Sequence, residues 1–429
     1  MNDIQPIGHP LRNHSFLYLW LAQSISGIGD VIYHVGVMVT IFQRTGSALQ
    51  ASGVLVATMI PAIAVGPFAG TIVDHNSRKF VLIAMDCLRG VCVLFLLLFV
   101  HDESLNMWGV YSVIAALSAA TTVYRPARQA IIPSIVNTQQ LMHANSLLAG
   151  TNQATLAAGF IVGGFLVLLV SLPALVVINA VTFVISAVLT LPIKARDSEQ
   201  DQETHKEEKP TLRESIRSGV HYLRNHKLAR PLVVMEVMEH VPHGIWSSAL
   251  MLVFAEQAIN GGPRAWGVLA SMYFGGQLLG AIIASYAARS LARRPGWVII
   301  ANAGMFALLT VIFSQSPTLF FASVVSLIFG PPASIRDIAQ ESLLQKVVNQ
   351  SMLGRVYAFR SMLMSLVFMV SSIGFAYLAD YLSIRLIYLG GGILYSMTAL
   401  YALSTSAIRN TRNTDDDQLP IAVNPSSGV

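Results

Sequence analysis

From Phe16 to about Ser406, apolar stretches of about twenty residues alternate with short polar ones. A bilayer core about 30 Å thick takes roughly 20 apolar residues per helix, because every backbone polar group has to be paired within its own segment. Twelve runs meet that length. They predict helices over about 16–42, 48–73, 80–100, 107–131, 145–170 and 173–193, then about 231–255, 265–288, 297–314, 318–345, 355–379 and 384–406. The expected fold is an all-α integral membrane protein whose twelve transmembrane helices form two pseudo-symmetric six-helix bundles. The expected units are an N-terminal bundle over 1–194, a cytoplasmic linker over 195–230, a C-terminal bundle over 231–406 and a disordered cytoplasmic tail over 407–429.

Composition agrees with this pattern. Residues of the AVILMFWYC set make up 54% of the 429 positions and charged residues 11%, against about a quarter charged in a soluble domain. Such a chain cannot cover a water-facing surface. The net charge of +5 does not point to nucleic acid, because Lys and Arg sit in short segments between apolar runs rather than in one patch with aromatic platforms. Cys87 and Cys92, the only cysteines, lie five apart on one run and point to different faces, so neither a disulfide nor a metal site follows. The polar stretch Met1–Ser15 lacks the features of a cleaved signal peptide, so the first run is expected to stay as a helix.

The linker is charge-dense from Ala195 to Lys209. From Thr211 it reads as an amphipathic helix, with Leu212, Ile216, Val220 and Leu223 at helical spacing and Arg213, Arg217 and Arg224 elsewhere. A helix lying on the membrane surface and a plain solvated linker helix both fit. With the N-terminus inside, the outer loops hold only Arg44, Arg264 and Arg385, and the remaining loop Lys and Arg, including nine in the linker, fall on the inner face. The positive-inside rule therefore places both termini in the cytoplasm.

The two halves echo one another. Gly70-Thr-Ile-Val-Asp74-His-Asn-Ser-Arg78-Lys79 follows the second run, and Ser285-Tyr-Ala-Ala-Arg289-Ser-Leu-Ala-Arg293-Arg294 follows the eighth, a shift of 215 residues. Repeats of this kind underlie many transporters.

Gly70 to Lys79 matches the pattern G-x-x-x-D-x-x-x-R-[KR], in the loop where the major facilitator superfamily carries it, and the chain resembles that superfamily. Leu19 to Asp30, Arg125 to Pro133, His143-Ala-Asn145 and Gln345 to Arg355 resemble its exporter branch, which includes macrolide efflux proteins and the enterobactin exporter. The resemblance implies that Gly70, Asp74, Arg78 and Lys79 act as a conformational latch between the bundles. A simple positive-inside anchor is the alternative. Proton-coupled exporters commonly carry Gly-Pro-x-x-Gly-Gly in the fifth helix. This chain departs from that pattern, with Phe160 in Gly159-Phe-Ile-Val-Gly-Gly164. Gly159, Gly163 and Gly164 are expected to pack tightly against the eighth run, where Gly276 and Gly280 lie four apart.

An ionisable group at bilayer depth costs roughly 2.5–3.5 kcal/mol on insertion scales, so it usually faces a cavity or a partner. Asp30 lies near the middle of the first run without a partner within a turn. It is the leading proton-coupling residue, with a buried, hydrogen-bonded Asp as the alternative. Asp86 and Arg89, three apart, read as a structural pair. Glu236, Glu239, His240 and His243 share one broad face of the seventh run, which Pro242 should bend, and are candidates for proton relay or contact with a cationic substrate; that Glu236 and Glu239 simply meet interfacial basic residues such as Arg230 is the alternative. Ligation of a metal by one helix would need unusual geometry, and no metal is assigned. Met362, Met364, Phe368 and Met369 suit either an adaptable apolar pocket or lipid-facing packing.

The reading is a secondary active transporter exporting an amphipathic small molecule, a drug-like compound or a secreted metabolite such as a siderophore, by proton antiport. A lysophospholipid or lipid flippase, a proton-coupled importer and, more remotely, a non-transporting scaffold are the alternatives. No cofactor beyond the proton gradient is expected, and no nucleophile-base set or phosphate loop points to an enzyme. The partners are the small molecule and the lipid bilayer of the bacterial inner membrane. A monomer is expected, one that can work with an outer-membrane exit system.

Overall fold

The computed structural model describes residues 10–100, 106–137, 140–194, 212–287 and 294–411. The first six runs become α1 (His14–Thr45), α2 (Ala48–His75), α3 (Arg78–Phe95), α4 (Met107–Ile135), α5 (Leu141–Leu166) and α6 (Leu172–Thr190). After the linker helix α7 (Leu212–Asn225), the seventh run is broken into α8 (Ala229–His243) and α9 (Ser248–Val253). The rest are α10 (Gly262–Tyr286), α11 (Pro295–Ser314), α12 (Leu319–Val347), α13 (Gln350–Ala379), α14 (Ile384–Ser404) and the short α15 (Ser406–Arg409). Among the described residues no strand occurs.

Local chemistry sets the ends. The Asn13 side chain accepts from the Ser15 and Phe16 amides at 3.0 and 3.4 Å and starts α1, while Asn106 accepts from Gly109 N at 3.1 Å and starts α4. Gly46, at φ +65°, ends α1 in the left-handed conformation that lets the chain reverse directly into α2. The first piece of the seventh run ends at His243, one residue after Pro242, continues as a 3-10 turn over Gly244–Trp246, and is separated from the second piece by Ser247, at ψ 151°.

Ten helices among the described residues are long and apolar enough to cross a membrane. The two predicted runs outside that set are the broken seventh and α5, whose first half carries His143, Asn145, Thr151, Asn152 and Gln153. Rows of large apolar side chains, such as Val177, Val181, Val184 and Val188 on α6, are exposed on the outside of the molecule. A continuous surface of this kind needs hydrocarbon as its solvent, and the protein is a multi-pass membrane protein.

Within the first half, α1 packs on α5 and α6, and α3 on α4 and α6; within the second, α10 and α11 pack on α12, and α8 on α13 and α14. The halves meet where α5 lies on α10 and α2 on α13. At the first of these contacts, Gly164 faces Gly267: a Cβ on Gly164 would sit 2.8 Å from the Pro263 carbonyl oxygen. Gly159 and Gly163 face Val31 and Val35 of α1, and Gly276 and Gly280 face Gly330 and Pro331 of α12. The expectation that Gly276 and Gly280 receive α5 is therefore corrected. Their face of α10 is turned inward to its own half, and Gly267 makes the cross-half contact.

The linker helix does not stand alone. It packs on α13, with Gly219 against the Arg355 carbonyl and the Tyr222 hydroxyl accepting from the Asn349 amide at 3.2 Å. Residues 407–411, expected to open a disordered tail, instead carry the end of α15. Ile408 there is fully buried in a cluster with Leu232 and Ile299. Residues 195–211, 288–293 and 412–429, which include most of the charged linker, Arg289, Arg293 and the rest of the tail, lie outside the described residues.

Candidate functional site

A cavity of about 1030 Å³ lies between the halves. Its first-half wall comes from α1, α2, α4 and α5 and its second-half wall from Phe274 of α10 and Ser361, Met362 and Ser365 of α13. Most of the lining is apolar; Thr58, Ser118, Thr121 and Thr122 supply hydroxyls. Val37 and Val54, deep in the cavity, are 1% and 3% exposed, whereas Gly66, Arg125 and Ser361 near its other end are exposed. The cavity thus opens toward the face that carries α7 and both described ends of the chain. Its far end is sealed by hydrogen bonds between α2 and the end of α13.

Asp30, halfway along α1, lines this cavity. The structure adds a partner invisible within its own helix. Arg89 of α3 places Nη1 3.7 Å from Asp30 Oδ2 and also bonds Asp86, which accepts from Ser186 Oγ at 2.8 Å. The guanidinium lies between the rings of Tyr124 and Phe183, 4.0 and 4.5 Å from their centroids. Asp86 and Arg89 are 0% and 2% exposed and form a buried ion pair. That pair reaches the cavity through Asp30, whose side chain is 39% exposed. One turn beyond Asp30, His34 also lines the cavity and pairs across the halves with Ser248 Oγ at 3.2 Å.

Beside the cavity, the second half holds a charged recess of about 500 Å³. Glu236, Glu239, His240 and His243, predicted to share one face, all line it. Arg360 of α13 binds both oxygens of Glu236, at 2.6 and 2.8 Å, and Glu341 at 2.9 Å. Glu236 therefore meets Arg360, not Arg230. Glu239 accepts from Gln340 at 2.9 Å and faces Arg336 at 3.9 Å, and Arg336 is fixed by Asp337 at 2.8 and 3.1 Å. His243 Nδ1 lies 3.1 Å from the Tyr395 hydroxyl. Arg336, Asp337, Glu341 and Arg360 were missed as site residues. Their signal was available: they are charges inside the tenth and eleventh apolar runs, the criterion already applied to Asp30.

The remaining predicted residues fall elsewhere. Arg78 donates to the Ala130 carbonyl at 3.0 Å and Lys79 to the Leu191 carbonyl, both in the first half. Gly70 is exposed at the end of α2, and Asp74 lies in that helix's last turn with its side chain outside the described residues. Met362 lines the cavity, Met364 is buried beside α7, and Phe368 lies against the His243 ring. Phe160, in the place where exporters carry proline, stacks on Phe274 and meets Trp266 edge-on, with centroids 5.6 Å apart in each case. An aromatic contact between α5 and α10 thus occupies that position.

A family model described as transmembrane secretion effector matches residues 7–426. Among curated proteins, the uncharacterised MFS-type transporter YjbB of Bacillus subtilis is 28% identical over 398 residues, covering 92% of this chain and 96% of its own length. Macrolide efflux protein A of Streptococcus pyogenes is 25% identical, covering 92% and 96%. Among solved structures, the nucleoside transporter NupG superposes with a TM-score of 0.70 at 11% identity, covering 93% of this chain and all of that one. That likeness is one of fold.

Proposed function

The chain belongs to the transmembrane secretion effector family of major facilitator superfamily transporters, and on that premise we propose that it exports an amphipathic small molecule by proton antiport, with Asp30 as the coupling carboxylate. Its relatives include efflux proteins, and it is a transporter, not an enzyme. The observation that carries the finer reading is the position of Asp30. It lies halfway through the membrane on the wall of a cavity open to one side, next to an arginine already paired with a second carboxylate.

The arrangement supports exchange of a proton for cargo in physical terms. With Asp30 ionised, Arg89 is shared between two carboxylates; with Asp30 protonated, Asp86 and Arg89 remain as a neutral pair. Either state of Asp30 therefore leaves a tolerable charge balance in the membrane interior. Exposure of Asp30 to one aqueous phase and then the other would let it load on one side and unload on the other. The largely apolar wall of a cavity of about 1030 Å³ suits a drug-sized amphipathic body, a secreted metabolite such as a siderophore included.

The same reading places the chain, as a monomer, in a bacterial inner membrane with both termini in the cytoplasm, on the strength of its loop arginines and lysines. The cavity then faces the cytoplasm, as an exporter collecting cargo requires. Gly70, Asp74, Arg78 and Lys79 are assigned the latch role on the same footing, engaging when the opposite side opens. The test is transport by reconstituted protein, with erythromycin and other amphipathic compounds, against an imposed pH gradient. Uphill movement that the gradient drives and Asp30→Asn abolishes is expected.

A further inference from the structure

The charged recess in the second half contains more negative than positive side chains. Four carboxylates, Glu236, Glu239, Asp337 and Glu341, face two guanidiniums, Arg336 and Arg360. Arg360 satisfies both oxygens of Glu236, and Asp337 holds Arg336. Glu239 is the one of the four whose ion pair, with Arg336 Nη1, contains no hydrogen bond, and that Nη1 is itself without one. Glu239 is 4% exposed, it lines the recess, and its Oε1 receives no hydrogen bond, its nearest cation being Arg336 at 3.9 Å. A buried carboxylate oxygen without a donor is costly, and a donor supplied by a ligand would remove that cost.

The recess also adjoins the apolar cavity. Tyr273 belongs to the recess and its neighbour Phe274 to the cavity, their rings 5.6 Å apart; Arg360 and Ser361 divide in the same way. A molecule can therefore place an apolar body against the first half and a charged end in the second. We propose that the recess is the subsite for the positively charged end of the cargo, an organic ammonium group on an apolar body, with Glu239 as its counter-ion. This deepens the reading of the chain as a transporter of amphipathic molecules and rests on it. It also separates the cargo's charge from the proton site, since Asp30 lies in the other half.

Other occupants fit less well. Glu236 has both oxygens committed, and no group of three His, Cys, Asp or Glu among the described residues converges on a point where a metal ion could sit. An anion would approach Arg336 through the surplus of negative charge.

Binding to the purified full-length protein in nanodiscs, without any gradient, tests this. The probes are (6-phenylhexyl)trimethylammonium, neutral 6-phenylhexanol and anionic 6-phenylhexyl sulfate, which share one apolar body. The cation should bind at least tenfold more tightly than either analogue. Glu239→Gln, which keeps a group able to pair with Gln340, should remove that advantage and leave binding of the alcohol unchanged, which also shows that the variant is folded. Glu341→Gln, at the rim, should weaken the cation several-fold. Equal affinity for the three probes, tighter binding of the sulfate, no binding of the cation, or a preference for the cation that survives Glu239→Gln would overturn the proposal. Because no gradient is used, failure of proton antiport would leave this result standing, and the reverse.

Discussion

The Asp380 carboxylate accepts hydrogen bonds from the Ala48 backbone amide and the Ser47 hydroxyl, both at 2.8 Å. Ala48 is the first residue of α2 and Asp380 immediately follows α13, so the bond joins the two halves across the sealed end of the cavity. An anion at a helix N-terminus is favoured both by the unpaired amides and by the helix dipole. Opening of that end separates the halves there and must break both bonds.

Asp380→Ala should consequently shift the population toward the conformer open at the far end. Loss of a capping acceptor changes a two-state ratio by roughly 2- to 30-fold. Labelling of a cysteine at Val54, 3% exposed in this conformer, by an impermeant thiol reagent from the far side is the measurement, with Cys87 and Cys92 replaced by serine. Unchanged labelling would mean that the apolar packing around α9 alone keeps this end closed.

The contact of α5 with α10 gives a second expectation. A side chain at Gly267 meets the Phe160 carbonyl and Gly164, whereas one at Gly275 meets nothing within 4 Å. Gly267→Val should lower the melting temperature of the purified protein, as overpacking costs about 1–3 kcal/mol. Gly275→Ala should leave it unchanged or raise it, since alanine is the better helix former. Equal effects of the two would contradict the close approach at Gly267.

Arg89 offers a third. Arg89→Met leaves Asp86, fully buried, without its cation. Removing one partner of a buried pair costs about 3–5 kcal/mol, and Asp86→Asn in the same chain should recover much of the loss. A double-mutant cycle on thermal stability reads the coupling. Strictly additive losses would show that the two side chains do not depend on each other.

Much of this architecture was legible because the bilayer imposes one rule on every span. Apolar runs of sufficient length had to be helices, and eleven of the twelve predicted runs became one principal helix each, with ends close to those expected. The seventh did not, because Pro242 and the extended Ser247 interrupt it. Charges inside runs were equally legible, and they single out Asp30 and the four residues of α8. What the sequence could not show is which helix each charge faces. Arg89 reaches Asp30 from α3, and Arg360 reaches Glu236 over a separation of 124 residues. Neither follows from periodicity along one helix. The same holds for Gly276 and Gly280, where the spacing announced close packing but not the partner.

The role of Asp30 is tested most directly by accumulation in proteoliposomes, with and without an imposed pH gradient, for wild type and Asp30→Asn side by side. Wild type should concentrate an amphipathic compound only when the gradient is present, and Asp30→Asn should still exchange the compound downhill but no longer concentrate it. Undiminished accumulation by Asp30→Asn, or wild-type accumulation indifferent to the gradient, would contradict that role.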